Sequence, residues 1–291
     1  MVVAGKVGIV ILNYNSFKLT VELVNALIKM PAIDEICVVD NNSNDNFEGI
    51  FSNNKVHYIK NIKNDGYAAG NNVGLKYLVN SRNCDIVFIA NPDTIFTNDT
   101  ILKVKETLLL DNQLALISTK RFGPNKALIH QYFSFPSFWQ SICECFVILR
   151  KLLNSGKNQR QYNLLNQANN ILYVDAVPGA FFGMRAKFLI ENNYLCEETF
   201  LYCEELILGQ QAKNQGYKAG VINDAEYIHN HTQIHFTSKN YYKLDHDSLR
   251  IYFTKFGLLN HIQLLIYDIC VWLGYLEYKI MFNIANLKRK V

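Results

Sequence analysis

Apolar runs and helix-periodic stretches alternate through the first 120 residues, and this alternation leaves few folds open. VGIVIL at 7–12, EICVVD at 35–40, KVHYIK at 55–60, the apolar run at 85–90 and LALIST at 114–119 read as strands. FKLTVELVNALIKM at 17–30 has helical period and stops before Pro31, and further helices are expected at about 68–80 and 99–111. Strands separated by helices pair through crossovers rather than hairpins. The expected class is therefore α/β, a mostly parallel sheet with helices on both faces.

The pattern changes after residue 120. Residues 121–170 hold SFPSFWQSICECFVILRKLL at 134–153 and then a polar, Asn/Gln-rich stretch, expected as an inserted helix or lid followed by a loop. Strand-like residues return around Pro178-Gly179, EELILGQQAKNQG at 204–216 reads as a helix stopped by Gly216, and YKAGVI at 217–222 as a strand. Residues 1–240 thus form the expected α/β unit, and 241–291 a C-terminal helical segment.

Composition narrows the function classes. A formal charge of +4 over 291 residues, without a dense Lys/Arg stripe, argues against nucleic acid. Seven scattered cysteines (Cys37, Cys84, Cys143, Cys145, Cys196, Cys203 and Cys270) read as reduced, mostly buried thiols of a cytoplasmic protein. VGIVIL reads as a first strand rather than a signal peptide, and no apolar stretch is long enough for a spanning helix. The last segment is apolar and aromatic but carries His261, Asp268, Glu277 and Lys279. An interfacial helix over 258–291, with Lys288-Arg289-Lys290 facing anionic headgroups, fits it; packing on the domain or on a second subunit, a homodimer, fits equally.

Acidic residues gather where strands end. CDIVFIANPDT at 84–94 stops on Asn91-Pro92-Asp93, because Pro92 cannot continue a central strand. Asp93 is thereby presented at a strand's carboxyl end, where open α/β sheets bind ligands. A carboxylate there suits a hard cation carrying a diphosphate; turns also favour Asp, and both readings stand. Asp40 ends VVDNNSND in the same way and suits a base or ribose, or a turn. KNDGYAAGNNVGLKYL at 63–78 carries Gly66, Gly70 and Gly74 at a helix start, with Asn64, Asn71 and Asn72 beside them, so a ligand or a close helix–sheet contact could require them. Glu204 and Glu205 open a helix, where acids favour the dipole or serve as a general base. His229 follows the next strand, with His231 and His235 close by as further metal-ligand types.

Together these stretches resemble family 2 glycosyltransferases of the GT-A (Rossmann-like) fold, in the branch that includes bacterial rhamnosyl- and galactofuranosyltransferases. The resemblance covers about 6–235, through VGIVILNYN, VVDNNSND, NDGYAAGNNVGL, FIANPDT, VPGAFFGMRAKFL, TFLYCEELILGQQAKNQGYKAGV and AEYIHNH. It implies that Asn13, Tyr14 and Asn15 frame the nucleotide pocket, that Asp40, with Asn42 beside it, binds the base, and that Asn64, Gly66, Gly70 and Asn72 lie along the nucleotide. Asn91-Pro92-Asp93 stands where the family has DxD, so Asn91 and Asp93 would hold the donor diphosphate, and Asp93 and His229 a Mn²⁺ or Mg²⁺ ion. Glu205 aligns with the catalytic base and Glu204 with a residue that orients the acceptor. The chain departs from the pattern at Asn91, Glu205, Ile207 and Gln211, so Glu204 stays open as the base.

The implied activity is metal-dependent, inverting transfer of a sugar from a nucleoside-diphosphate donor, dTDP-rhamnose or a UDP-hexose. The implied acceptor is a hydroxyl of a saccharide or lipid-linked saccharide in bacterial surface polysaccharide synthesis, with the enzyme peripheral on the inner face of the cell membrane. A nucleotidyltransferase would carry a basic, Gly-rich N-terminal signature, which ILNYNSF is not. A scaffold that keeps the fold without catalysis is the other alternative.

Overall fold

The computed structural model describes residues 5–230 and 239–288. His231 and His235 lie outside the described residues, as do Arg289 and Lys290.

The strands are β1 (Val7–Asn13), β2 (Glu35–Asp40), β3 (Val56–Lys60), β4 (Ile86–Ala90), β5 (Thr94–Ile95), β6 (Leu114–Phe122), β7 (Ile171–Val174), β8 (Phe181–Arg185) and β9 (Lys218–His229). The helices are α1 (Phe17–Leu27), α2 (Tyr67–Lys76), α3 (Asn98–Leu110), α4 (Phe138–Glu144), α5 (Val147–Leu153), α6 (Lys157–Gln167), α7 (Ala186–Glu191), α8 (Glu204–Asn214), α9 (Lys239–Lys255) and α10 (His261–Lys288). Among the described residues, all nine strands join one sheet in the order β3-β2-β1-β4-β8-β6-β9-β5, with β7 also against β9. β3, β2, β1 and β4 are parallel, as the alternation predicts. The other half is mixed: β8 runs antiparallel to β4 and β6, while β6 and β9 are parallel.

The sheet is covered on both faces. Along β1, Val7, Ile9 and Ile11 point into a layer with Leu23, Val24 and Leu27 of α1 and Ile101 and Val104 of α3. Val10 points the other way, toward Ala68 and Leu75 of α2 and Leu208 of α8. Every residue of β2 is buried, which is why its sequence is a continuous apolar run rather than an alternation.

The insert is more helical than expected. α4 starts where the Ser137 hydroxyl accepts from the Gln140 backbone N–H, and the Gln140 side chain reaches back to the Ser137 N–H. The Asn/Gln-rich stretch expected as a loop forms α6, whose buried residues are Gln161 and Leu165. Lys, Gln, Arg and Leu are good helix formers, so the polar segment needs little apolar burial to stay helical. A third core joins α9 and α10 (Leu249, Tyr252, Phe253, Tyr267) to Cys145 of the insert and Ile207 of α8. Among the described residues, no helix is long and apolar enough to cross a membrane.

Candidate active site

The carboxyl edge of the parallel strands gathers two groups of side chains. The first lies where β1 and β2 end, with Asn13 paired to Asp40 in register. The Asn13 amide nitrogen is in hydrogen-bond range of Asp40 Oδ1 at 3.3 Å, Ser43 Oγ at 3.1 Å and Asp45 Oδ2 at 2.9 Å, and its oxygen accepts from the Thr20 hydroxyl at 2.8 Å. Asn13 therefore ties the end of β1 to the loop after β2. Asp40 is fully buried; its Oδ1 accepts from the Ser43 N–H at 3.1 Å, and its Oδ2 lies 3.4 Å from the Tyr58 hydroxyl and 4.0 Å from Lys60 Nζ. Tyr14, Asn15 and Asn42 are exposed around it, and both asparagines hold positive φ, 53° and 60°, as turn residues do. Asn64 accepts from the Asn41 amide at 2.8 Å and the Gly66 N–H at 3.0 Å.

The glycines of α2 answer to packing. Gly66 has φ 97°, and a Cβ there would come within 2.2 Å of the Phe200 carbonyl oxygen. A Cβ on Gly70 would meet Leu12 at 2.6 Å, so glycine lets the helix approach β1. Asn72 is buried. Its amide donates to the Leu195 carbonyl at 2.9 Å and Glu197 Oε1 at 2.7 Å, and its oxygen accepts from the Leu195 N–H. With its side chain fully engaged there, Asn72 ties α2 to the 195–197 segment.

The second group surrounds a cleft of about 600 Å³. Pro92 ends β4, and the two-residue strand β5 then pairs antiparallel with the end of β9, Thr94 opposite His229. This brings Asp93 Oδ1 to 3.2 Å from His229 Nε2. Nδ1 of the same ring accepts from Arg121 Nη2 at 2.8 Å. Arg121 is held at the end of β6 by the buried Gln131, which accepts from its N–H and donates to its carbonyl. The Arg121 Nε is buried without a hydrogen-bond partner. Sequence reasoning missed this residue, because the insert was taken to begin at 121 whereas β6 continues to Phe122.

Whether these residues suit a cation follows from their chemistry. Asp93 offers carboxylate oxygen, Asn91 an amide oxygen and His229 an imidazole nitrogen. Among the described residues, no group of three His, Cys, Asp or Glu side chains could hold a metal by itself. One carboxylate with a partner is nonetheless a common donor set when substrate phosphates and water complete the shell. The residues fit a shared protein–diphosphate site rather than a closed cage.

Glu204 and Glu205 face the same cleft. Tyr202 and Cys203 precede them with φ 75° and 64°, two successive non-glycine residues in the left-handed region. Such backbone is costly and persists where the surroundings enforce it; here it turns the chain so that α8 begins at Glu204. Glu205 Oε1 accepts from the Gly179 N–H at 3.1 Å. A Cβ on Gly179 would lie 2.6 Å from that oxygen, and the Tyr67 hydroxyl donates to the Gly179 carbonyl at 2.7 Å.

Burial raises both carboxyls. Burial and then the charge of Glu205 push Glu204 up to about 8, and its Oε1 is buried without a hydrogen-bond partner. Burial raises Glu205 too, with its own N–H, the Gly179 N–H and the Arg121 charge offsetting part of the rise. Both carboxyls are therefore held above the ordinary carboxylate range by burial, Glu204 further by the charge of Glu205, while the Arg121 charge lowers Glu205 alone. The far wall of the cleft comes from the insert and the C-terminal helices, through Glu144, Arg150, Tyr241, Asp245 and Tyr278. Asp245, pushed up to about 6 by burial, lies 3.6 Å from Arg150.

Residues 8–189 match the family described as Glycosyl transferase family 2. A curated relative, the low-salt glycan biosynthesis hexosyltransferase Agl10 of Haloferax volcanii, is 24% identical over 223 residues, 77% of this chain and 66% of that protein. The chain thus spans a little under two thirds of that relative's length. Among solved structures, the mannosyltransferase PcManGT from Pyrobaculum calidifontis in complex with GDP-Man and Mn²⁺ superposes with a TM-score of 0.57 at 14% identity, over 98% of this chain and 78% of that one. S. aureus TarS 1-349 in complex with UDP-GlcNAc gives 0.53 at 17%, over 92% and 71%. GalNAc-T7 with UDP, GalNAc and Mn²⁺ gives 0.58 at 11%, over 82% and 47%. At these identities the solved structures establish the GT-A fold alone.

Proposed function

The chain belongs to glycosyl transferase family 2, and we propose that it is a metal-dependent, inverting hexosyltransferase with Glu205 as its base. One observation carries the reading: an acid pair, both members raised by burial, opens a helix on the same cleft that Asn91 and His229 line. Both relatives solved with a nucleotide and Mn²⁺ support a nucleotide-sugar donor and a divalent cation.

The donor's base and ribose would lie against Asp40, between Tyr14, Asn15 and Asn42, with Asn13 holding the wall. Asn64, Gly66 and Gly70 shape the adjoining loop and helix start. Asn91, Asp93 and His229 would hold the diphosphate and its Mn²⁺ or Mg²⁺. That cation, when bound, neutralises charge on the leaving nucleoside diphosphate.

Glu205 accepts the proton of the acceptor hydroxyl as its oxygen attacks the anomeric carbon from the face opposite the leaving group. Glu204, neutral, donates a hydrogen bond and orients the acceptor. The Gly179 N–H holds the Glu205 carboxylate in line, and proximity supplies much of the rate. The Arg121 charge favours the ionised form of Glu205 and adds positive charge beside Asp93.

The donor in this proposal is dTDP-rhamnose or a UDP-hexose, and the acceptor is a saccharide or lipid-linked saccharide of a bacterial surface polysaccharide. Residues 1–240 serve as the catalytic unit, and 241–291 with the 121–170 insert form the acceptor side. The protein works in the cytoplasm, at the inner face of the cell membrane. Calorimetric titration of UDP, dTDP and GDP, each with and without Mn²⁺, tests the reading. Metal-dependent selection of one nucleotide is expected; no binding of any would overturn it.

A further inference from the structure

α10 is apolar on two opposite faces. Its inner seam, Leu264, Tyr267, Val271 and Tyr278, packs against α9 and the insert. Gly274 completes that seam, since a Cβ there would lie 2.0 Å from the Cys145 carbonyl oxygen. The outer face carries Ile262, Leu265, Ile269, Trp272, Leu276 and Ile280, spaced at three and four residues and exposed, Ile262 by 71% and Trp272 by 62%. Helices apolar all round are found in cores or in membranes, and patches of this kind on soluble monomers mark contact sites.

α5 extends the surface. The Glu277 carboxylate of α10 accepts from the backbone N–H groups of Val147 and Ile148, at 3.0 and 3.1 Å, and so caps α5 beside α10. α5 exposes Ile148, Leu149, Leu152 and Leu153.

Charge says what covers this surface. Residues 146–174 contain Arg150, Lys151, Lys157 and Arg160 and no acid; residues 278–291 contain Lys279, Lys288, Arg289 and Lys290 and no acid. These two segments thus hold eight of the 29 basic residues and none of the 25 acidic ones, leaving the rest of the chain 21 against 25, net −4. α5 carries Arg150 and Lys151 and no acid, and the two acids of α10 are engaged, Asp268 by Arg250 and Glu277 by the α5 backbone, which leaves the exposed Lys151 and Lys279 beside the apolar side chains. A second copy would bring like charges together, whereas an anionic bilayer offers opposite charge and an apolar interior at once.

We infer that α10 and α5 together dock on an anionic lipid bilayer, α10 lying in the plane of the interface with Trp272 at headgroup level. α10 does not cross the bilayer, since it is not apolar enough over a sufficient length. Arg150 and Tyr278, from the same two helices, line the cleft, so docking sets the acceptor wall at the membrane surface. The class of acceptor this favours is a saccharide on a lipid carrier; that clause rests on the transferase reading, while docking itself does not.

The test uses the full chain and co-sedimentation with vesicles of phosphatidylglycerol and phosphatidylcholine, or of phosphatidylcholine alone, at low and high salt. The wild type is expected on the anionic vesicles at low salt, released by salt and little bound to the neutral ones. The double variant Leu265→Glu/Trp272→Glu is expected to lose at least tenfold in vesicle affinity with its melting temperature unchanged, both residues being exposed. Absence of the wild type from both vesicle types would overturn the inference, as would undiminished binding of the double variant. A concentration-dependent dimer that the same variant abolishes, without vesicle binding, would assign the face to a second copy. Vesicle binding without nucleotide binding would leave docking standing and remove the transferase reading.

Discussion

Arg121 donates to Nδ1 of His229 at 2.8 Å, and the opposite nitrogen of that ring lies 3.2 Å from Asp93 Oδ1. A guanidinium cannot accept a hydrogen bond, so the neutral imidazole carries its proton on Nε2 and donates it to Asp93. A cation bound at Nε2 needs the other tautomer, whose Nδ1–H would oppose Arg121. In the proposed site, cation binding at His229 and the Arg121–His229 contact would therefore compete.

This competition gives the first prediction. In Arg121→Gln, an amide oxygen can accept from Nδ1–H and one positive charge is gone. Mn²⁺ affinity measured by calorimetry in the presence of the bound nucleotide is expected to hold or tighten. Sugar transfer is expected to fall by about a hundredfold, because Glu205 loses the charge that favours its ionised form. Mn²⁺ binding weakened more than tenfold would contradict the tautomer assignment.

Glu204 ties stability to pH. Its folded value, about 8, lies above the ordinary 4.5 because it is buried. A carboxyl shifted this way favours the fold fully below its unfolded pKa, and that contribution is lost as pH rises through 8. Glu204→Gln, which cannot ionise, should therefore gain stability relative to wild type on going from pH 5 to pH 9, on the order of 1–3 kcal/mol. Thermal unfolding at the two pH values checks this; an unchanged difference between variant and wild type would refute it.

Gly179 sets the position of Glu205, the proposed base. A methyl group there would stand 2.6 Å from Glu205 Oε1 and force the carboxylate to shift. Gly179→Ala should fold but lower kcat by about a hundredfold, since a displacement near 1 Å of a reacting group costs that much. Nucleotide affinity, measured in parallel, should stay within threefold of wild type, roughly the scatter expected for a site left untouched.

The first half of the fold was legible because β1, β2 and β4 are buried on both faces and so read as continuous apolar runs. Asp40, Asn91 and Asp93 were legible for a related reason: each stands where such a run stops. Arg121 was not, because β6 runs past its apolar portion into Lys120-Arg121-Phe122, which looks like the start of a loop. α6 was hidden by its polar composition. The orientation of Asn72 was hidden as well, since its partners Leu195 and Glu197 lie more than 120 residues away. Nor could the sequence tell Glu204 from Glu205: the Gly179 N–H and the Arg121 charge act on Glu205, and only the tertiary fold brings them there.

The most direct measurement is a comparison of transfer rates for Glu205→Gln and Glu204→Gln, with nucleotide binding measured on both. Glu205→Gln is expected to lose about a thousandfold or more in kcat, within the range of general-base catalysis, while nucleotide affinity survives. Glu204→Gln is expected to lose less, because its neutral amide can still donate a hydrogen bond to the acceptor. Near-normal turnover by Glu205→Gln would contradict the assignment of the base.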